Sequence, residues 1–125
     1  MSQVELIHKE LVYEVVGCAM KVHRELGYGF LEKVYENSMM VLLNKKSIKA
    51  KQQFPVPVHF ENVVVGEYFA DFMIEDKILV ELKTVEKITN VHFAQVLNYL
   101  KATGIKLGLL INFGPRKLEY ERIIK

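Results

Sequence analysis

Cysteine, long apolar runs and one-sided charge are all scarce in this chain, and each shortage excludes a class of protein. Cys18 is the only cysteine in 125 residues, so no intrachain disulfide can form. That suits a reducing compartment, and the apolar helical pattern around Cys18 makes it a small core residue. No stretch approaches the roughly 18 uninterrupted apolar residues of a membrane span. The opening MSQVELIHKEL carries acids and no long apolar run, unlike a secretory leader. The expectation is a cytoplasmic protein. Net charge is +2, which neither requires nor excludes a nucleic-acid partner. Repeats, low-complexity tracts and linkers are also missing. What is present is a 50% share of hydrophobic residues, enough for one packed core, and residues 1–125 are expected to form a single domain.

Hydrophobic spacing orders the chain. Ile7, Leu11, Val15, Ala19, Val22 and Leu26 recur at a period of about 3.6, which predicts a helix over residues 3–26 stopped by Gly27. A second helix is predicted from Phe30 to Lys46, burying Leu31, Val34, Met39 and Leu42 or Leu43. Two of the three prolines, Pro55 and Pro57, fall in FPVPVHFE. Their missing N–H groups lie on one side, which predicts an edge strand. VVVGEYFADFMI and KILVELKTV read as strands joined by the turn EDK. Residues 89–103 read as a third helix, capped by Thr89 or Asn90 and stopped by Gly104. KLGLLINF is nearly continuous apolar, as in a strand buried on both faces. KLEYERII alternates as a last strand. The order ααβββαββ, with a helix linking the two strands around it, predicts an α/β fold: a three-layer sandwich whose mixed sheet carries helices on both faces.

The hairpin ADFMIEDKILVELK holds residues that strands tolerate poorly, Asp71, Glu81 and Lys83. Glu81 and Lys83 share a face because strand side chains alternate. A three-residue turn, Glu75 to Lys77, sets Ile74 opposite Ile78 and Asp71 opposite Glu81. Opposed like charges destabilise a strand pair. A divalent cation reverses that effect, and oxygen-only ligands select a hard one, Mg²⁺ or Mn²⁺. Two acids and a lysine around a metal suit phosphodiester hydrolysis. The metal polarises the phosphoryl oxygen and acidifies a water, and the lysine steers the water or stabilises the developing charge. The competing reading is a solvated hairpin face. Against it, Val80 and Leu82 point one way while Met73 and Leu79 flank the acids the other way, and buried charges need partners.

His92, Gln95 and Tyr99 share one face of the third helix. They form either its solvated stripe or the wall of a groove beside the hairpin, where Gln95 and Tyr99 would hold phosphate oxygens or Lys83. In GFLEKVYE, Glu32 and Tyr35 lie one turn apart behind Gly29. An exposed Glu is the plain reading there.

Together these residues resemble the GxxExxY family, through Gly29, Glu32 and Tyr35 in GFLEKVY. GEYFADFMIEDKILVELK, HFAQVLNYLKATG and GLLINFG resemble its later blocks in the same order. That family is placed in the PD-(D/E)xK nuclease superfamily. The resemblance covers residues 10–124 and implies a restriction-endonuclease-like αβββαβ core. It implies that Asp71, Glu81 and the Leu82 carbonyl bind Mg²⁺ or Mn²⁺, and that Glu32 contributes directly or through water. Lys83 corresponds to the catalytic lysine. Gln95 and Tyr99 match the Q-x-x-x-Y pattern of some nuclease branches, and His92 fits this family's own block. With Tyr35, these residues are expected to line the substrate groove. Ala70 stands where the superfamily pattern has proline. The implied function is metal-dependent cleavage of nucleic acid, DNA favoured over RNA, with no membrane partner. The alternative is a catalytically silent module that binds nucleic acid or serves in a complex. A homodimer would offer two sites for the two strands of a duplex.

Overall fold

The computed structural model describes residues 7–125. Its elements are α1 (Lys9–Leu26), α2 (Glu32–Lys45), β1 (Ala50–Phe60), β2 (Val63–Ile74), β3 (Ile78–Lys83), α3 (Asn90–Thr103), β4 (Leu107–Asn112) and β5 (Glu119–Ile124). The expected order holds. Residues 3–6 of the expected first helix lie outside the described residues, and α1 begins at Lys9. Gly104 ends α3 in the left-handed conformation, with its N–H on the Leu100 carbonyl.

The strands form one sheet in the order β1-β2-β3-β4-β5. β3 and β4 run parallel, and the other neighbours are antiparallel. A parallel pair needs a crossover, which α3 supplies. The proline-bearing β1 sits at the edge, as its missing donors require. The sheet is covered on both faces. On one, Val15, Ala19, Met39 and Leu43 of α1 and α2 meet Phe72, Val80 and Leu82. On the other, Val96 and Leu100 of α3 meet Met73, Leu79 and Leu110. All six residues of β4 are buried. Each fully buried large side chain contributes roughly 1.5–3 kcal/mol, so a one-residue slip of β3 or β4 would forfeit contacts on both faces.

The second helix departs from expectation. Met39 and Leu43 are buried, but Leu31 is 80% exposed and Val34 38%. Tyr35 and Glu36 take their places in the packed face. The helix starts at Glu32, two residues later than the spacing suggested, and Leu31 is its extended N-cap. Leu31 therefore lies outside the helical period. Leu26, at the frayed end of α1, is also exposed.

Candidate active site

The turn between β2 and β3 decides which side chains meet. Glu75 and Asp76 both take left-handed backbone, and the Lys77 N–H closes on the Ile74 carbonyl at 2.9 Å. Ile74 then opposes Ile78, and Phe72 opposes Val80, the expected odd-length register. One step on, the Asp71 N–H donates to Glu81 Oε1 at 3.3 Å. The Leu82 N–H donates to Asp71 Oδ2 at 2.7 Å. The regular ladder ends at Phe72–Val80, so the Asp71 carboxylate accepts where a backbone carbonyl otherwise would. Lys83 Nζ lies 3.6 Å from Glu81 Oε2. Hairpin register thus brings Asp71, Glu81 and Lys83 together at the end of the β2–β3 ladder.

The opposite neighbour of Asp71 is a residue that sequence reasoning missed. Gln52 pairs with Phe72 and Phe54 with Ala70, but Gln53 between them is unpaired and has φ 50°. A left-handed residue costs roughly 1–2 kcal/mol for a side chain other than glycine. Here it breaks the alternation: Phe72 packs towards α1 and α2, whereas Ala70 packs towards α3. Gln53 Nε2 then reaches both Asp71 Oδ1 at 3.3 Å and Glu36 Oε1 at 2.9 Å. Glu36 is only 3% exposed and also accepts from Gln52 Nε2 at 2.7 Å and Lys33 Nζ at 3.1 Å. One available signal was the position of Glu36, one helical turn after Glu32 in GFLEKVYE. The twist at Gln53 left none.

The electrostatics follow from this crowding. Burial pushes the Asp71 carboxyl up to about 6, and the charges of Glu36 and Glu32 add to the effect. The Leu82 N–H and the Gln53 amide oppose it. Burial pushes Glu81 up to about 8, reinforced by Asp71 and opposed by Lys83. Both shifts run against carrying two negative charges side by side. Such a pair suits a hard divalent cation, because its donors are oxygens and a dication removes the repulsion that burial sharpens.

The remaining expected residues divide. The Lys83 carbonyl accepts from Phe113 N–H at 2.8 Å, towards β4. Strand alternation therefore turns the Leu82 carbonyl towards β2 and the acids. Glu32 is exposed at the start of α2; its charge is felt at both Asp71 and Glu81. Among the described residues, no three His, Cys, Asp or Glu side chains stand together in metal-holding geometry.

Tyr35 is not a groove residue. It is wholly buried and stacks on Phe113 with ring centroids 4.5 Å apart. Its hydroxyl donates to the Gly27 carbonyl at 2.7 Å and accepts from Phe30 N–H at 3.2 Å. The tyrosine of the GFLEKVY stretch therefore pins the loop between α1 and α2.

His92 caps α3, its Nδ1 accepting the Thr89 N–H at 2.9 Å. Gln95 and Tyr99 do lie side by side, with Gln95 Nε2 3.1 Å from the Tyr99 hydroxyl. Burial pushes the Tyr99 phenol up, and the charges of Glu81 and Asp71 add to it. Asn112 was also missed. Fully buried in β4, it accepts the Val85 and Gly114 N–H groups and donates to the Val85 carbonyl, each within 3.0 Å. It thereby ties down the chain that follows Lys83.

Comparison with known proteins bears on the fold and the family. No curated protein matches the sequence. Three solved chains match in structure. The crystal structure of SSO0001 does so with a TM-score of 0.59 and 19% identity over 74% of this chain. The match takes in 49% of SSO0001, so this chain spans about half that protein's length, and the likeness is one of fold. A family model described as the PD-(D/E)XK nuclease superfamily matches residues 9–123. With its mixed sheet, covered faces and family match, this chain belongs to the PD-(D/E)XK nuclease superfamily.

Proposed function

We propose that this chain is a divalent-metal-dependent nuclease of the GxxExxY branch that hydrolyses phosphodiester bonds, with DNA favoured over RNA. The observation that carries the reading is the Asp71–Glu81 pair. The fold gathers two acids at a half-buried point, raises both above their usual range, and sets one lysine beside them. Perturbed acids beside a specific charge partner mark functional sites. Asp71, Glu81 and the Leu82 carbonyl are the proposed ligands for Mg²⁺ or Mn²⁺, with Glu32 contributing directly or through water. A cation held by these residues would supply Lewis-acid polarisation of the phosphoryl oxygen. Lys83, held on Glu81, stabilises charge that develops at the phosphate. The Gln53 amide and the Leu82 N–H orient the Asp71 carboxylate from two sides.

The test is cleavage of labelled single-stranded and duplex DNA and RNA with Mn²⁺ or Mg²⁺, with and without chelator. Wild type is expected to cut with metal and to stop with chelator, and Asp71→Ala is expected to lose Mn²⁺ binding and cleavage together. Wild type that binds no Mn²⁺ and cuts none of these substrates overturns the reading. The exposed position of Glu32 outside the acid pair favours the second reading, a silent module that keeps the fold and binds nucleic acid.

A further inference from the structure

Beside the acids, the outer parts of β1 and β2 stand away from α3 and leave a groove of about 780 Å³. Pro57, Val58, His59 and Tyr68 form one wall, and α3 forms the other through Gln95, Asn98, Tyr99 and Lys101. Tyr99 packs in one cluster with Ala70, the chain neighbour of Asp71, which sets the groove beside the acids. Tyr68 is 53% exposed, with its ring centroid 5.9 Å from that of Tyr99. It presents a free aromatic face on a rigid strand. Gln95 Oε1 is buried without a hydrogen-bond partner. Reversing the amide would satisfy the oxygen from the Tyr99 hydroxyl and leave the NH₂ over instead, so in either orientation one buried polar group of Gln95 stands unpartnered beside the groove. The lining includes Lys101 and His59 and no Asp or Glu.

We propose that this groove seats an unpaired nucleobase of the strand held at the acid pair, stacked on Tyr68 and hydrogen-bonded by Gln95, so that the preferred ligand is single-stranded nucleic acid. The proposal takes its ligand class from the nuclease reading. Three observations favour this occupant. An aromatic face beside a lysine, in a lining without carboxylates, is the composition that binds unpaired bases and their backbone. A duplex keeps its bases stacked and cannot present one to a strand-bound tyrosine without flipping it. An added peptide strand is disfavoured, because Pro55 and Pro57 lack the N–H groups that edge pairing needs.

The experiment measures binding of fluorescein-labelled dT₁₅, rU₁₅ and a 15-base-pair duplex in chelator, where no cleavage occurs. One or both single strands are expected to bind more tightly than the duplex, and the tighter of the two assigns the sugar. Stacking on one aromatic is worth about 1–3 kcal/mol, so Tyr68→Ala should weaken the tighter single strand on the order of 5- to 150-fold. Tyr68→Phe should restore binding, and Tyr13→Ala, on the exposed side of α1, should change nothing. An oligonucleotide with abasic sites should bind wild type as weakly as the intact strand binds Tyr68→Ala. Equal binding of duplex and single strands, or indifference to Tyr68→Ala, overturns the proposal. Failure of the nuclease reading is seen separately. A protein that binds single strands through Tyr68 but never cuts retains the groove and loses the activity. One that cuts with metal while Tyr68→Ala cuts single strands like wild type retains the activity and loses the groove.

Discussion

Replacing Glu81 by glutamine should make the metal-free protein more stable, although it removes a charged residue from the centre of the site. The folded protein holds the Glu81 carboxyl at about 8 against an ordinary value of 4.5, chiefly by burial and then by the charge of Asp71. The unfolded chain ionises this group above pH 4.5 and the folded chain only above about 8. Between those values folding takes up a proton, so stability falls as pH rises and levels off above the folded pKa. Neutral pH is 2.5 units above the ordinary value, and each unit is worth about 1.4 kcal/mol, so the ionisable carboxyl costs roughly 3 kcal/mol there. The amide introduced by Glu81→Gln keeps an oxygen for the Asp71 N–H, and the attraction of Lys83 is already contained in the value of about 8. The gain is therefore about 3 kcal/mol, or a Tm higher by roughly 10–15 °C. Thermal unfolding of both proteins in chelator at pH 5, 7 and 9 measures it. The gain should be large at pH 7 and 9 and small or absent at pH 5. Saturating Mn²⁺ should then raise the Tm of wild type and leave that of Glu81→Gln nearly unmoved. Equal Tm values at pH 7, or a gain that ignores pH, would refute the electrostatic account of the pair.

Lys83→Met should retain Mn²⁺ binding in calorimetry while kcat and kcat/KM fall together by on the order of 10²–10³, as for a group acting mainly in the transition state; cleavage at the wild-type rate removes Lys83 from the chemistry. Asn112→Leu strands the Val85 and Gly114 N–H groups and the Val85 carbonyl, all partly buried, and at about 1 kcal/mol for each lost hydrogen bond it should cost ~3 kcal/mol in urea unfolding. A loss below about 1 kcal/mol would mean that the Val85 segment finds other partners. Tyr35→Phe keeps the stack on Phe113 and loses the two loop hydrogen bonds. Stability should drop by about 1–2 kcal/mol with cleavage of nucleic acid unchanged, whereas a loss of activity at full stability would return Tyr35 to the groove.

The hairpin was legible because its information is local. An odd turn length and a two-residue alternation suffice to set Asp71 opposite Glu81, and neither depends on distant contacts. The order of elements was legible for the same reason, through hydrophobic period, the glycine stops after α1 and α3, and the proline spacing that marks β1 as an edge. In the GFLEKVY stretch the plain reading of an exposed Glu32 holds, while Tyr35 departs from the expected groove position. Glu32 and Tyr35 share a helical face on paper. In the fold Tyr35 stacks on Phe113, the residue just after β4, while Glu32 is exposed. The capping role of His92 was overlooked because a histidine at the third position of a helix suits a cap as well as a groove.

By itself the sequence determined the eight elements, the mixed sheet and the meeting of Asp71, Glu81 and Lys83. Only the tertiary structure decided the surroundings of that trio. Glu36 reaches Gln53 from α2 across 17 residues of sequence, and Asn112 ties down Val85 across 27. Gln53 holds its left-handed conformation between Asp71 and Glu36. These contacts depend on which faces pack together, and packing is a sum over the whole chain that no local spacing encodes. The raised pKa values of the two acids arise there too, because burial is a property of everything that lies above a residue.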